Sequence, residues 1–331
     1  MPVPQAPVTL RDVARAAGVS TASASRALAR QGTVSADLRQ RILAAAKRLG
    51  YVPNLAARSL AAGKSGLIGV LVNSMAEPLV ADVVATLEQR LAQAGYGIAI
   101  AAHGGSPGDG LTALHGLLRR GAQALALAEA EDGHELTAAV RACGLPWRGI
   151  AAEPDGVEFV VDDGHRRGAE LAARYLLSLG HRKIGVIASR PSTLAGLADA
   201  LVSNDVATLG EGGAAVRDLD AAQAAMRGLL QSEDRATAVI CGSDLYALAA
   251  VRTCLGEGVA VPRAVSIIGF GDAEFGRCAV PALTTVRVPS AQIGVRLAEG
   301  LLACLELRQA MASFETPVKL VVRESTAPAS G

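Results

Sequence analysis

The residues of this chain that could do chemistry fall into a few sets, and most of them lead nowhere. His165 and His181, with the adjacent Asp162 and Asp163, are the residue types of metal binding or acid–base work. The aspartates, however, stand beside an expected helix start, where carboxylates are favoured in any protein. His181 follows Gly180 and reads as the start of a strand connection. No nucleophile sits at a credible spacing from a base, so no catalytic residue, metal or cofactor is nominated. The glycine-rich HGGSPGDG at 103–110 lacks Gly-Lys-Ser/Thr and is read as a surface βα loop rather than a phosphate cradle. Cys143, Cys241, Cys254, Cys278 and Cys304 are scattered, without the close pairs of a zinc site, and are expected as reduced thiols.

The informative set lies between Thr9 and Leu28, TLRDVARAAGVSTASASRAL. It reads as two short helices joined by a tight turn. Thr9 and Asp12 have capping-box spacing. Leu10, Val13, Ala14 and Ala17 give the first helix one apolar face, and Gly18 permits the left-handed conformation that ends it. Ser20 caps a second helix in which Ala24, Ala27 and Leu28 turn inward while Thr21, Ala22, Ser23 and Arg26 turn out. Small or polar residues at a helix start, with a long cation further along, suit entry into the major groove of DNA. An ordinary amphipathic helix pair has the same spacing. A third helix is expected from about Ala36 to Leu49, capped by Ser35, ended by Gly50 and striped by Leu38, Ile42, Leu43, Ala46 and Leu49.

Charge supports the first reading. Of 32 Lys and Arg and 31 Asp and Glu, ten basic and two acidic residues precede position 66. That segment therefore carries +8, and the remainder, 22 against 29, carries −7. A basic arm on an acidic body is the footprint of a nucleic-acid-binding module. At 331 residues, half of them hydrophobic, the chain is long enough for a small module and a two-part domain. MPVPQAPVTL lacks the layout of a signal peptide, and no apolar run reaches bilayer-spanning length, so a cytoplasmic protein without membrane contact is expected.

The blocks TLRDVARAAGVS, SRAL, LGYVPN and ARSLAAGKSGLIGVLV, in that order, resemble the lactose/galactose repressor (LacI/GalR) family of bacterial regulators. The likeness continues in VVDDGHRRGAELAARYLLSLGHRKIGVI, AVICGSDLYALAAVRTCLGEGVAVPRAVSIIGFGD and PALTTVRVPSAQIG. It implies a sequence-specific transcriptional regulator, a repressor that binds palindromic double-stranded operator DNA as a homodimer. The alternatives are a sugar-binding or enzymatic α/β module with a DNA-binding appendage, or an effector-independent regulator. The implied DNA contacts are Thr9, Ser20, Thr21, Ala22, Ser25, Arg26, Asn54, Ala57 and Leu60. LAARSLAA would form a hinge helix when two copies pack on DNA, with Leu60 as an apolar wedge in the minor groove. No heptad pattern follows Val322, so a dimer is expected rather than a tetramer.

From residue 66 the pattern alternates strands and helices in two series, the second beginning with a strand at 159–161. The expected architecture is thus an all-α helix-turn-helix headpiece (1–50), a hinge (51–65) and an α/β body (66–331). The body comprises two doubly wound parallel-sheet lobes of periplasmic-binding-protein type: lobe 1 at about 66–157 and 290–321, lobe 2 at about 158–289. The segment 290–320 returns to the first lobe with a helix at 291–305. Such folds bind ligands at the carboxyl ends of strands. The positions nominated there for a sugar, sugar acid or similar metabolite are Asn73, Ser74, His103, Glu129, Ser189, Thr193, Ser243, Asp244 and Asp272. Three departures bear on that ligand. Thr193 and Leu197 stand in the segment where the family often has an arginine, Ser243-Asp244 replaces Asn-Asp, and Gly271 takes the place of an aspartate. Loss of a bidentate cation weakens binding of a polyol or carboxylate, which implies an unusual effector or none.

Overall fold

The computed structural model describes residues 8–28, 34–51, 65–104, 107–128, 135–150, 160–161, 164–188, 193, 196–197, 207–209, 218–307 and 314–329. The chain forms two compact units, Met1–Ser65 and Gly66–Gly331.

In the first unit, α1 (Leu10–Ala17), α2 (Thr21–Leu28) and α3 (Ala36–Leu49) enclose a small core of Val13, Ala14, Ala17, Ala24, Ala27, Ile42, Ala45 and Ala46. Alanines dominate because three short helices must approach closely to exclude water. Leu43, expected on the inner stripe of α3, is exposed, and Ala45 takes its place. The reason is the 3.6-residue period: Leu38 and Leu49, which pack on the core with Ile42 and Ala46, swing the inward direction towards 45 and away from 43.

The second unit contains two sheets. β1 (Leu67–Val72), β2 (Gly97–Ala102), β3 (Ala124–Leu127), β4 (Trp147–Ile150) and β5 (Val160–Val161) are parallel, in the order β2-β1-β3-β4-β5. They alternate with α4 (Pro78–Gln93), α5 (Pro107–Arg119) and α6 (Glu135–Ala142). The strand at 159–161, expected to open the second series, instead pairs with β4 and closes the first sheet. At two residues it is too short to declare its partner in sequence.

The second sheet is built from β6 (Lys183–Ile187), β7 (Ala207–Leu209), β8 (Ala238–Cys241), β9 (Ser266–Gly271), β10 (Thr284–Arg287) and β11 (Lys319–Val321). Its order is β11-β10-β9-β8-β6-β7, parallel throughout except that β11 runs against β10. Apart from β11 it repeats the strand order of the first sheet. Its helices are α7 (His165–Ser178), α8 (Leu219–Gln231), α9 (Asp244–Gly256) and the short α10 (Glu274–Cys278). Gly168 lets α7 lie on the sheet, since a Cβ there would come within 2.5 Å of the Phe270 ring.

Helix α11 (Ser290–Leu302), continued by a π-helical turn at Ala303–Leu307, leaves the second sheet and packs on α4 of the first lobe. Gly294 permits this, because a Cβ there would meet the Val83 carbonyl at 2.6 Å. The chain therefore does return to the first lobe after β10. It re-enters the second lobe at β11, whose residues 319–321 were expected to belong to the first.

Candidate nucleic-acid interface and effector site

The headpiece site begins with local chemistry. The Thr9 backbone N–H donates to Asp12 Oδ2 at 3.0 Å, and the Asp12 N–H donates to Thr9 Oγ1 at 3.4 Å. The reciprocal pair is the capping box, and it holds the Asp12 carboxyl below its ordinary range, chiefly through the Thr9 hydroxyl bond. Gly18 ends α1 at φ 66, and the Val19 N–H closes the turn on the Ala14 carbonyl at 3.0 Å. Arg41 of α3 donates to the Ala17 carbonyl at 3.0 Å, fixing α3 against the turn. Ser20 then accepts from the Ser23 N–H at 3.1 Å and starts α2.

Burial of Ala24 and Ala27 sets the rotation of α2 and leaves Thr21, Ala22 and Arg26 exposed, with Ser25 partly so. Arg26 folds back to donate from Nε to the Ala22 carbonyl at 3.3 Å. That contact is weak enough for the guanidinium to leave. Thr9 and Ser20 flank the same helix pair. Asn54, Ala57 and Leu60 lie outside the described residues.

In the second unit, the nominated residues occupy strand ends. Asn73 and Ser74 follow β1 and His103 follows β2; the Gly104 N–H donates to the Asn73 carbonyl at 2.9 Å and brings these two loops together. Ser243 and Asp244 follow β8, and Asp272 follows β9. Glu129 and Ser189 lie outside the described residues. Thr193 is buried, and its hydroxyl has no hydrogen-bond partner among the described residues. Gly196, three residues on, presses on the Arg166 carbonyl so closely that a Cβ would clash at 2.0 Å.

The two aspartates are more deeply engaged than their positions suggest. Asp244 is buried and accepts from Thr285 Oγ1 and the Ala273 N–H, both at 2.6 Å. Burial pushes its carboxyl up from the ordinary range, against the two hydrogen bonds. The fit is close: a Cβ on Gly269 would stand 2.2 Å from Asp244 Oδ1. Ser243 accepts from the Tyr246 N–H at 3.2 Å and so serves as the cap of α9. Asp272 adopts φ 59, in the left-handed region, and its carboxylate pairs with Arg323, Arg287 and Arg277. Burial pushes its carboxyl up, but the Arg323 and Arg287 hydrogen bonds outweigh this and hold it below the ordinary range. Sequence reasoning missed Thr285 and the three arginines. The signal was there in Arg287, the single charge in TTVRV, and in Arg323, which follows the apolar run LVV.

His165 and His181 have structural surroundings. His165 stacks on Phe270 with ring centroids 4.1 Å apart. His181 lies between Thr237 Oγ1 and the Ala327 carbonyl, each at 3.0 Å. Among the described residues no group of three or more His, Cys, Asp or Glu side chains could hold a metal ion, and no helix is long and apolar enough to cross a membrane.

A capped helix-turn-helix headpiece followed by two doubly wound lobes defines a class of regulator. Residues 9–54 match the family of bacterial regulatory proteins, lacI family, and residues 173–326 match the periplasmic binding protein-like domain. The chain is 29% identical over 328 residues to the lactose operon repressor of Escherichia coli (strain K12), across 97% of this chain and 91% of that protein. It is 28% identical over 338 residues to the transcriptional repressor PurR of Klebsiella pneumoniae (strain 342), across 96% and 97% respectively. Among solved structures, a lac repressor dimer bound to operator and the anti-inducer ONPF superposes with a TM-score of 0.80 at 27% identity, covering 97% of this chain and 100% of that one. A complex of the regulator CelR with cellobiose gives 0.69 at 26% identity, covering 96% and 99%. The chain carries the DNA-binding domain of the lacI family of bacterial regulatory proteins together with a periplasmic binding protein-like domain. The relatives named here are repressors rather than enzymes.

Proposed function

We propose that this protein is a cytoplasmic transcriptional repressor, without catalytic activity, that binds a palindromic operator as a homodimer. A small metabolite bound between the lobes sets its operator affinity. The observation that carries this reading is the α1–Gly18–α2 unit. Its caps fix the geometry, and its exposed face presents Thr21, Ala22 and Arg26 on a segment of charge +8. Small groups at the start of α2 admit the helix to the groove, and Arg26 reaches base edges as a bidentate donor. The cationic excess supplies phosphate attraction and a steep salt dependence. Thr9 and Ser20 position the pair, and Asn54, Ala57 and Leu60 supply the hinge contacts.

Dimerisation is supported by Leu255, 72% exposed, and Val280, 91% exposed, two large apolar side chains on the second lobe. Binding by two lobes favours one inter-lobe angle, and that preference couples the ligand to DNA affinity. The effector positions are Asn73, Ser74, His103, Glu129, Ser189, Thr193 and Ser243, with Asp244 and Asp272 acting through the neighbours they hold. The unpartnered Thr193 hydroxyl supports a ligand contact there, because a buried hydroxyl without a partner is costly until something bonds it.

Footprinting on the promoters of the protein's own and neighbouring operons, with and without a panel of sugars, sugar acids and nucleosides, tests both parts. A protected palindrome whose protection changes with one compound supports the reading. Protection that no compound changes leaves the DNA-binding part standing and removes the effector.

A further inference from the structure

A cluster on the second lobe holds more positive than negative charge. Three guanidinium groups converge on the single carboxylate of Asp272. Arg323 bonds Oδ1, Arg287 bonds Oδ2 through Nε, and an Arg277 terminal nitrogen stands 3.6 Å from Oδ2. They come from three segments: α10, the end of β10 and the stretch after β11. No second carboxylate among the described residues pairs with any of them. Glu324, next to Arg323, accepts instead from the Ala282 N–H at 3.0 Å. Counting the buried Asp244 carboxylate beside Asp272, three cations against two anions leave the cluster at +1.

Burial divides the cluster into a foundation and a face. The Asp272 side chain is 2% exposed and that of Arg323 14%, so this pair is interior. Arg287 is 39% exposed and Arg277 55%, and both open to solvent. A guanidinium carries five N–H donors in a planar fork. Arg287 spends its Nε on Asp272 and keeps both terminal nitrogens. Arg277 spends one terminal nitrogen and keeps the rest of its fork. Because both reach the same oxygen, the two forks stand side by side. Like charges held together over a buried pair repel, and an anion between them relieves the repulsion while filling both forks.

We propose that Arg277 and Arg287, held by Asp272 and Arg323, form a binding site for a small oxyanion: a phosphate group or a carboxylate, free or carried on a metabolite. The site lies where β10 leads the chain out of the second lobe and just beyond the strand that brings it back. Its existence does not depend on DNA binding, and its test uses no DNA.

The test is calorimetric titration of the full chain with inorganic phosphate and, separately, malonate, in chloride buffer of fixed ionic strength. Saturable binding of one ion per chain is expected. The double variant Arg277→Gln/Arg287→Gln, which leaves the Arg323–Asp272 pair in place, should bind on the order of tenfold more weakly. Arg287→Lys keeps the charge without the fork and should fall in between; it also serves if the double variant does not fold. Tighter phosphate binding identifies a phosphate site, and tighter malonate binding a carboxylate site. No saturable heat with either ion, or variants that bind both as tightly as the parent, overturns the proposal.

Discussion

Replacing Asp244 by alanine separates a brace from a ligand contact. The carboxylate accepts two hydrogen bonds of 2.6 Å, from Thr285 Oγ1 and the Ala273 N–H. Thr285 is fully buried, so its hydroxyl loses its acceptor without gaining water. Hydrogen bonds to a charged group contribute about 1.5–3 kcal/mol each. Against them stands the cost of burying the carboxylate, visible in the upward push on its pKa. The net loss on Asp244→Ala is then about 2–4 kcal/mol, or roughly 4–16 °C in melting temperature for a body of this size. Thermal unfolding of the ligand-free protein, followed by near-UV circular dichroism, reads it directly. A variant that melts within a degree of the parent would refute the brace.

Three further outcomes are expected. Arg26→Ala should lose about 1–3 kcal/mol of binding to the preferred site and much less on random DNA, as measured by fluorescence anisotropy; equal losses on both would reduce Arg26 to a phosphate contact. Leu60→Ala should reduce operator bending in a gel-phasing assay while the body's melting temperature stays unchanged, and identical bending would remove the wedge. Burial pushes the His181 ring below its ordinary 6.5, against the Ala327 hydrogen bond, which pulls it up. The unfolded chain then takes up a proton that the folded one resists, so the stability held above pH 6.5 is lost as pH falls below that value. His181→Gln should flatten the fall in melting temperature below pH 6.5, and an unchanged slope would show that other groups cause it.

What was legible in the sequence was what neighbours in the chain decide. Thr9 with Asp12, Ser20 with Ser23, and Gly18 act within a few residues, so the helix pair and its outward face could be read before folding. The buried strands β1 and β8 declared themselves as unbroken apolar runs. The roles of Asp244 and Asp272 were not legible. Strand ends gave their positions, but apart from Arg277 the partners of their carboxylates come from 15 to 51 residues away. A carboxylate that reads as a sugar acceptor is, once folded, filled by a hydroxyl, an amide or an arginine. The short β5, β7 and β11 depend in the same way on pairing across the fold rather than on their own residues.

Selection of DNA from a random library by the full chain tests the central claim most directly. The account predicts one enriched palindrome, bound far more tightly than random DNA at equal salt, with a sequence that changes when Thr21 and Ala22 are exchanged for other residues. Enrichment of no motif, or a motif indifferent to Thr21, Ala22 and Arg26, would contradict it.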